Sequence, residues 1–339
     1  MSDLTLAQLS MLSLYSAMGV FTLAMIGYAV YLSGLMPART EARSEAQPER
    51  VLVSVGGPGA GASAAERGAA NDGASAPAGP SRGRVSDDGV PMRARKAAGM
   101  AWTLTILGTV LLTASVVLRG LEVHRAPLGN MFEFALTGSM FLMLAYVGWS
   151  FRRDLRWLGL FLVTPVLLTL GLAITIWYAE ATELMPSLKS YWLVIHVTVA
   201  TLSIAIFAIG AMLGALYLWQ SRLEAEGATS FMNRLPSARQ LEKLTHGLHV
   251  IGFPLWTFTL IAGAIWARQA WGAYWNWDPK EVWTFVIWVV YAAYLHARVT
   301  SGWKPQSATW IALAGFGCII LNYAVVNVYF VGQHSYSGL

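Results

Sequence analysis

The sequence predicts an all-α polytopic membrane protein with about eight transmembrane helices. Of its 339 residues, 56% are hydrophobic and only 12% are charged. Soluble globular chains carry roughly 25% charged residues, so most of this chain must be surrounded by lipid, and a water-soluble enzyme is excluded. The apolar residues also fall into separate runs of about 18 residues or more, the length that crosses a hydrocarbon core.

Eight such runs follow one another along the chain, at about 9–36, 98–118, 131–151, 157–178, 191–219, 250–270, 282–299 and 307–331. The N-terminus carries Asp3 and no basic residue ahead of the first run. A cleavable signal peptide has a positively charged start, so the first run is predicted to stay as a membrane anchor.

The basic residues are distributed unevenly between the two sides of this predicted bundle. Connections 37–97, 152–156, 220–249 and 298–306 hold 18 of the 23 Lys and Arg residues. Cytoplasmic loops carry the excess of Lys and Arg. These connections are therefore predicted to be cytoplasmic, and both termini extracytoplasmic.

Three regions of different composition divide the chain. Residues 1–36 form the predicted N-terminal transmembrane anchor, and residues 98–339 form a seven-span body. Between them, residues 37–97 are rich in Gly, Ala, Pro and Ser, a composition that buries too little apolar surface to fold and so predicts a disordered cytoplasmic linker. Cys318 is the only cysteine, which excludes an internal disulfide and a CxxC or CxxCH motif of the chain's own.

The connection between the sixth and seventh spans, residues 271–283, is unusually rich in aromatic residues. An interfacial aromatic belt places Trp and Tyr at helix ends, whereas this density indicates a flat aromatic platform with a polar edge. The predicted platform residues are Trp271, Tyr274, Trp275, Asn276, Trp277, Asp278 and Trp283. Asp278 and Pro279 are a typical helix start, which would fix the platform to the seventh span. A large planar apolar ligand with anionic substituents, such as haem, suits this surface.

Two of the six histidines are predicted to lie level with the platform. His196 is about one turn inside the fifth span, and His334 follows the eighth. Neutral imidazole is a common axial ligand of haem iron, and an ionisable residue inside a span is a functional candidate by default. The two imidazoles could therefore ligate one haem from opposite faces; alternatively, His196 is a histidine satisfied inside the bundle.

The other four histidines leave alternatives open. His296 lies about 26 Å along the seventh span and either ligates a second haem, in a recess beside Ala292 and Ala293, or meets the helix dipole. His246 and His249, three residues apart at the predicted cytoplasmic entry to the sixth span, favour an interfacial structural role over metal binding. His124, in an outer loop, either lines the same cavity or is solvated.

The block 271–283, followed by Tyr294-Leu-His-Ala-Arg298 and His334-Ser-Tyr336, resembles the WWD-motif haem-handling family. Within that family it is most similar to the CcsA/ResC-type subunit of the system II cytochrome c synthetase. Residues 186–196 and 252–254 fit the same pattern. The resemblance covers about residues 98–339, and the first span and its linker depart from it.

The resemblance implies a role in cytochrome c biogenesis in the bacterial plasma membrane. Haem b would be non-covalent cargo that enters from the cytoplasmic side and is attached, extracytoplasmically, to the CxxCH motif of apocytochrome c by a cytochrome c synthase (haem lyase) complex. His196 and His334 would be the axial ligands of the outer haem. His296 would ligate an intramembrane haem together with a ResB/CcsB-type partner that has a large extracytoplasmic domain. No catalytic acid or nucleophile is identifiable.

Two other functions compete with this reading. A system I WWD protein would load haem onto a chaperone, but eight spans and this length suit the CcsA type better. A transmembrane electron carrier would need paired histidines on facing helices at two depths, whereas only His296 is expected within a span of the body at the inner end.

Overall fold

The computed structural model describes residues 4–35, 90–180, 184 and 188–334. Within these residues, eight helices are long and apolar enough to cross a membrane, which confirms the predicted fold class. In chain order they are α1 (Leu6–Ser33), α2 (Met92–Glu122), α3 (Met131–Ser150), α4 (Gly159–Thr175, after a 3-10 turn Arg156–Leu158), α5 (Tyr191–Glu226), α6 (Ala238–Trp271), α7 (Pro279–Val299) and α8 (Pro305–Leu321). The sidedness of the termini stays a prediction.

Several helices extend beyond the apolar runs that predicted them. α5 continues to Glu226 and ends at Gly227, which has a left-handed φ of 62°, a conformation that favours glycine at helix ends. α6 begins at Ala238, well before the predicted start at 250. A helix can continue past the hydrocarbon layer because its backbone hydrogen bonds are internal, so hydropathy marks the apolar part of a helix and not its ends.

α1 packs along α2 and contributes buried side chains to the same core as α2, α3 and α4. The Tyr28 hydroxyl hydrogen-bonds Thr105 Oγ1 at 3.1 Å and the Tyr146 hydroxyl at 3.4 Å. Near the other end of α1, Ser10 Oγ donates to the Ser115 carbonyl at 2.9 Å. The predicted anchor is thus closely packed against α2. Most of the predicted linker lies outside the described residues, and α2 begins within its last part, at Met92.

The helices α5 to α8 carry the residues predicted to be functional. α5 and α6 run antiparallel, so that His196 on α5 lies against Gly263 on α6, and His249 on α6 lies against Gly210 on α5. α8 continues through a π-helical segment, Asn322–Val326, into a last turn, Asn327–Tyr329. The start of α5, the end of α6, the start of α7 and the end of α8 therefore meet at one end of the bundle, which we call the loop end.

Candidate functional site

The tryptophan-rich segment at the loop end is held by the two helices that it joins. Gly272, with a left-handed φ of 84°, ends α6. Asp278 caps α7 by accepting a hydrogen bond from the Lys280 backbone N–H at 3.0 Å, and Pro279 follows at the first helical position, as predicted. Glu281 Oε2 accepts hydrogen bonds from the backbone N–H groups of Asn276, at 2.8 Å, and Asp278, at 3.1 Å. The segment is therefore anchored by side chains of α7's first turn.

The structure separates the predicted platform residues into groups. Trp271, Tyr274 and Trp275 line a cavity beneath the loop. Asn276 and Trp277 are exposed, the latter 77% exposed with a left-handed φ of 56°. The ring planes of Trp275 and Trp277 cross at 86°, so these two rings form an edge-to-face pair and not one flat surface.

Two further predicted platform residues do not line the cavity. Trp283 is half-buried in the first turns of α7, and Asp278 is buried beneath the loop. Asp278 instead contacts the segment that follows α8. The loop thus contributes three aromatic rings to the cavity, while Asp278 fixes the surrounding backbone.

The cavity lies between α3, α5, α6, α7, α8 and the connections α2–α3 and α6–α7, and its volume is about 220 Å³. Most of its lining is apolar and aromatic, the usual character of a small-molecule site. Both His196 and His334 border it. The structure therefore brings together the two histidines that the sequence predicted as a pair.

His196 is fixed by α6. Its Nδ1 donates to the Thr259 carbonyl at 3.0 Å, and because a carbonyl only accepts, Nε2 carries the lone pair. A Cβ at position 263 would lie 2.8 Å from His196 Cε1, so the ring needs glycine there. Trp266 lies beside the ring, with 5.7 Å between ring centroids. His196 is therefore satisfied by one hydrogen bond and still presents a second nitrogen suited to a metal.

His334 is fixed by the tryptophan-rich loop. Its Nδ1 donates to Asp278 Oδ1 at 2.8 Å, and its ring packs edge-on against Trp271, with 4.7 Å between ring centroids. Burial raises the pKa of the Asp278 carboxyl, but the hydrogen bonds from His334 and from the backbone N–H groups of Lys280 and Gln333 outweigh burial and hold that pKa below its ordinary value. Asp278 is therefore an anionic partner for His334.

Several polar groups of the cavity were not predicted from the sequence. Lys280 Nζ donates to the Asn322 carbonyl at 2.7 Å, at the start of the π-helical segment. Glu281 Oε1, Asn322 Oδ1 and Trp266 Nε1 are buried atoms of cavity-lining residues without a hydrogen-bond partner in the structure. Buried polar groups normally have a partner, so these three atoms are consistent with a cavity that takes a ligand.

Histidines of α6 and α7 lie in the half of the bundle opposite the loop end. His249 is 1% exposed, its Nδ1 donates to the Thr245 carbonyl at 2.6 Å, and its ring packs among Phe207, Tyr291 and Tyr294. His249 is thus buried inside the bundle, and its interfacial position stays a prediction.

The remaining histidines occupy different environments. His246 Nδ1 lies 3.4 Å from the Tyr294 hydroxyl, so His246 and His249 both contact α7 in the half of the bundle that contains His296. The expectation that only His296 lies within a span at that end stays a prediction. His296 lies on an exposed face of α7 beside exposed Ala293. His124 is exposed in the turn after α2 and is absent from the cavity lining.

Comparisons with known proteins place these features in a family. Residues 128–334 match the family model for cytochrome C assembly protein. The cytochrome c biogenesis protein CcsA of Guillardia theta is 34% identical over 255 residues, which cover 69% of this chain and 84% of the relative. The CcsA proteins of Synechococcus sp. (strain RCC307) and Mesostigma viride are 33% and 31% identical over 261 and 264 residues, covering 69% of this chain and 83% and 85% of the relatives. The family match contains the cavity histidines and excludes α1 and α2.

Proposed function

This chain belongs to the cytochrome c assembly protein family and is a multi-pass membrane protein of cytochrome c biogenesis, and from this premise we propose that its loop-end cavity holds haem b. Haem is the cargo of this site, bound without a covalent link. The cavity would present it to the CxxCH motif of an apocytochrome c, as part of a cytochrome c synthase of the system II type.

One observation carries the proposal: two histidines border a single, mostly apolar cavity, and each uses Nδ1 in a hydrogen bond to the protein. A neutral imidazole that donates through Nδ1 carries its lone pair on Nε2, the form in which imidazole ligates iron. Histidines that ligate metals usually donate their other N–H to a carbonyl or carboxylate, and Thr259 and Asp278 supply one of each. His196 and His334 are therefore the proposed axial ligands.

The proposed chemistry needs positioning more than acid–base catalysis. Each substrate thiol adds across a vinyl group: sulfur bonds to one vinyl carbon, the thiol proton goes to the other, and there is no net oxidation or reduction. Trp271, Tyr274 and Trp275 would hold the macrocycle so that its vinyl groups meet the incoming cysteines. Such positioning accelerates a reaction because it replaces a random encounter with a fixed geometry.

His296 supports a proposal for a partner. Its exposed position beside Ala293 leaves room for a planar ligand at the surface of α7. We propose that it ligates a second haem, within the membrane, together with a ResB/CcsB-type subunit that has a large extracytoplasmic domain. Haem would pass from that position to the loop-end cavity, and the distribution of Lys and Arg supports an extracytoplasmic side of the bacterial plasma membrane for this cavity.

The absorption spectrum of the full chain, purified with its partner from haem-replete cells, tests the proposal. We expect a Soret band and a low-spin bis-histidine spectrum, and loss of that low-spin spectrum in His196→Gly and His334→Gly. A haem-replete preparation without a Soret band contradicts the proposal, as does an unchanged low-spin signal in both variants.

A further inference from the structure

The two cavity histidines differ in what holds them. His196 donates to a neutral backbone carbonyl, that of Thr259, within the helix bundle. His334 follows the last turn of α8 and donates to a buried carboxylate, that of Asp278. A carboxylate partner raises the basicity of an imidazole ligand more than a carbonyl does, because it carries a full negative charge.

The Asp278 carboxylate accepts hydrogen bonds both from His334 and from the backbone around it. Oδ1 accepts hydrogen bonds from His334 Nδ1 at 2.8 Å and from the Lys280 backbone N–H at 3.0 Å. Oδ2 accepts from the Gln333 backbone N–H at 2.5 Å. A Cβ at Gly332 would overlap Oδ2, so the chain reaches the carboxylate only because glycine stands there.

The ring of His334 is also limited from its other side by Trp271, whose ring meets it edge-on at 4.7 Å. With Nδ1 bound to Asp278 and the ring edge against Trp271, the tautomer and the plane of the imidazole are both determined. Asp278 is 6% exposed, and hydrogen bonds to ionised groups are stronger than neutral ones when water is excluded.

We propose that Asp278 is a positioning residue for His334: its carboxylate holds the imidazole with Nδ1 protonated, the tautomer that ligates iron through Nε2, and makes His334 the more electron-donating of the two ligands. This inference rests on the proposed function, since it concerns how a ligand of the proposed haem is held. It predicts that the protein lowers the reduction potential of the haem through Asp278, because a stronger donor favours ferric iron.

The substitution Asp278→Asn separates this role from helix capping. Asn is as good an N-cap as Asp, so the start of α7 is retained, while the negative charge and one of the two acceptor oxygens, that for the Gln333 N–H, are lost. We expect the full-length variant to bind haem about 10–100-fold more weakly and to show a higher reduction potential. Gln333→Ala is the matched control, because it removes only the side-chain contact to Asn276 in the same segment; its potential should equal that of the unmodified chain.

A second measurement shows whether Asp278 acts through the imidazole N–H. In His334→Gly, haem is supplied with either imidazole or 1-methylimidazole, which has no N–H to donate. Adding Asp278→Asn should raise the potential of the imidazole-bound protein and leave that of the 1-methylimidazole-bound protein unchanged. Equal shifts in potential with both ligands, or no shift with either, overturn the inference about Asp278. The proposed function is still supported in that case if the unmodified chain shows the bis-histidine spectrum. Absence of haem from the unmodified chain overturns both proposals.

Discussion

His196 at the loop end and His249 in the opposite half of the bundle have closely similar local structures. Each donates Nδ1 to a backbone carbonyl of α6, and each lies against a glycine of the neighbouring antiparallel helix, where a Cβ would come within 2.8 Å of His196 or 2.9 Å of His249. They differ in what faces the rest of the ring. His196 borders a cavity, whereas the ring of His249 is packed among three aromatic side chains.

Under the proposed function, this difference means that a histidine inside a membrane helix does not identify a ligand site by itself. Both residues leave Nε2 without a proton, and His249 Nε2 has no partner in the structure. What distinguishes His196 is that it borders a cavity that a second histidine, His334, also borders. Substitutions at His196 and His249 therefore test whether haem handling depends on the cavity or on any buried imidazole.

The largest effect is expected from removing an imidazole at the cavity. His196→Gly and His334→Gly should each abolish cytochrome c maturation, because the iron loses an axial ligand. Imidazole added to the medium should restore part of it. The measurement is haem-stained holocytochrome c in cells that depend on this chain.

His124→Gly is the control for these variants, since His124 is exposed and does not line the cavity. It should mature cytochrome c normally. Full maturation in either cavity variant would remove that histidine as a ligand and leave the cavity without its proposed function.

The second effect comes from a matched pair of glycine substitutions. Gly263→Ala should displace the His196 ring and lower haem content about tenfold, comparable to losing a partner that orients a ligand. Gly210→Ala should displace the His249 ring, cost about 1–3 kcal/mol of folding stability through overpacking, and leave haem content unchanged. Both sites are helical, so the propensity gain of Ala over Gly is the same in each.

Haem content by pyridine haemochrome and thermal unfolding of the purified variants measure the two outcomes. Equal loss of haem in both would show that packing of the α5–α6 pair, and not the cavity, controls binding.

A smaller effect is expected at the exposed face of α7. His296→Ala should lower the haem content of the complex with its partner and leave the low-spin signal of the His196/His334 haem intact, because His296 contributes to neither its cavity nor its ligands. Substitutions at exposed positions usually change folding stability little. Thermal unfolding of the variant, measured beside the haem assay, checks this. Unchanged haem content would leave His296 with a purely structural role.

The smallest effect is expected from His249→Leu. The substitution removes Nε2, which is buried and lacks a partner, together with the hydrogen bond from Nδ1 to the Thr245 carbonyl. Replacing a buried polar group by a similar apolar one is close to neutral when no partner is left unsatisfied. The free energy of unfolding, measured by thermal unfolding, should change by less than about 1.5 kcal/mol. Cytochrome c maturation should stay normal. Loss of maturation at unchanged stability would give His249 a role in haem handling after all.

The sequence predicted those parts of the fold that hydropathy and local motifs determine. Eight apolar runs became eight helices, Asp278 and Pro279 began α7, and His196 and His334 reached one cavity. The family resemblance and the residue spacing led to the same predictions, because the residues of the tryptophan-rich block are close together in the sequence.

The sequence could not predict features that depend on helix registry. Thr259, Gly263 and Trp266 border His196 only because α5 and α6 pair in one antiparallel register, which no single helix encodes. The start of α6 was placed too late because a polar helical extension looks like a loop in a hydropathy profile, and the burial of His249 among aromatic rings was therefore not predicted. The angle between Trp275 and Trp277 accompanies a left-handed backbone at Trp277, a conformation that aromatic residues rarely adopt.

The π-helical segment Asn322–Val326 has a consequence for how this chain tolerates insertions and deletions. A single π turn amounts to one extra residue in an α-helix, and each residue of an α-helix turns the chain by about 100°. The wide π turn absorbs its extra residue, so deleting one residue from 322–326 would restore regular helix and keep the segment that carries His334 close to its present rotational position. A deletion in the regular part of α8 would instead turn that segment by about 100°, away from Asp278. The last helix thus has one place where the chain can gain or lose a residue without moving its final histidine from the loop.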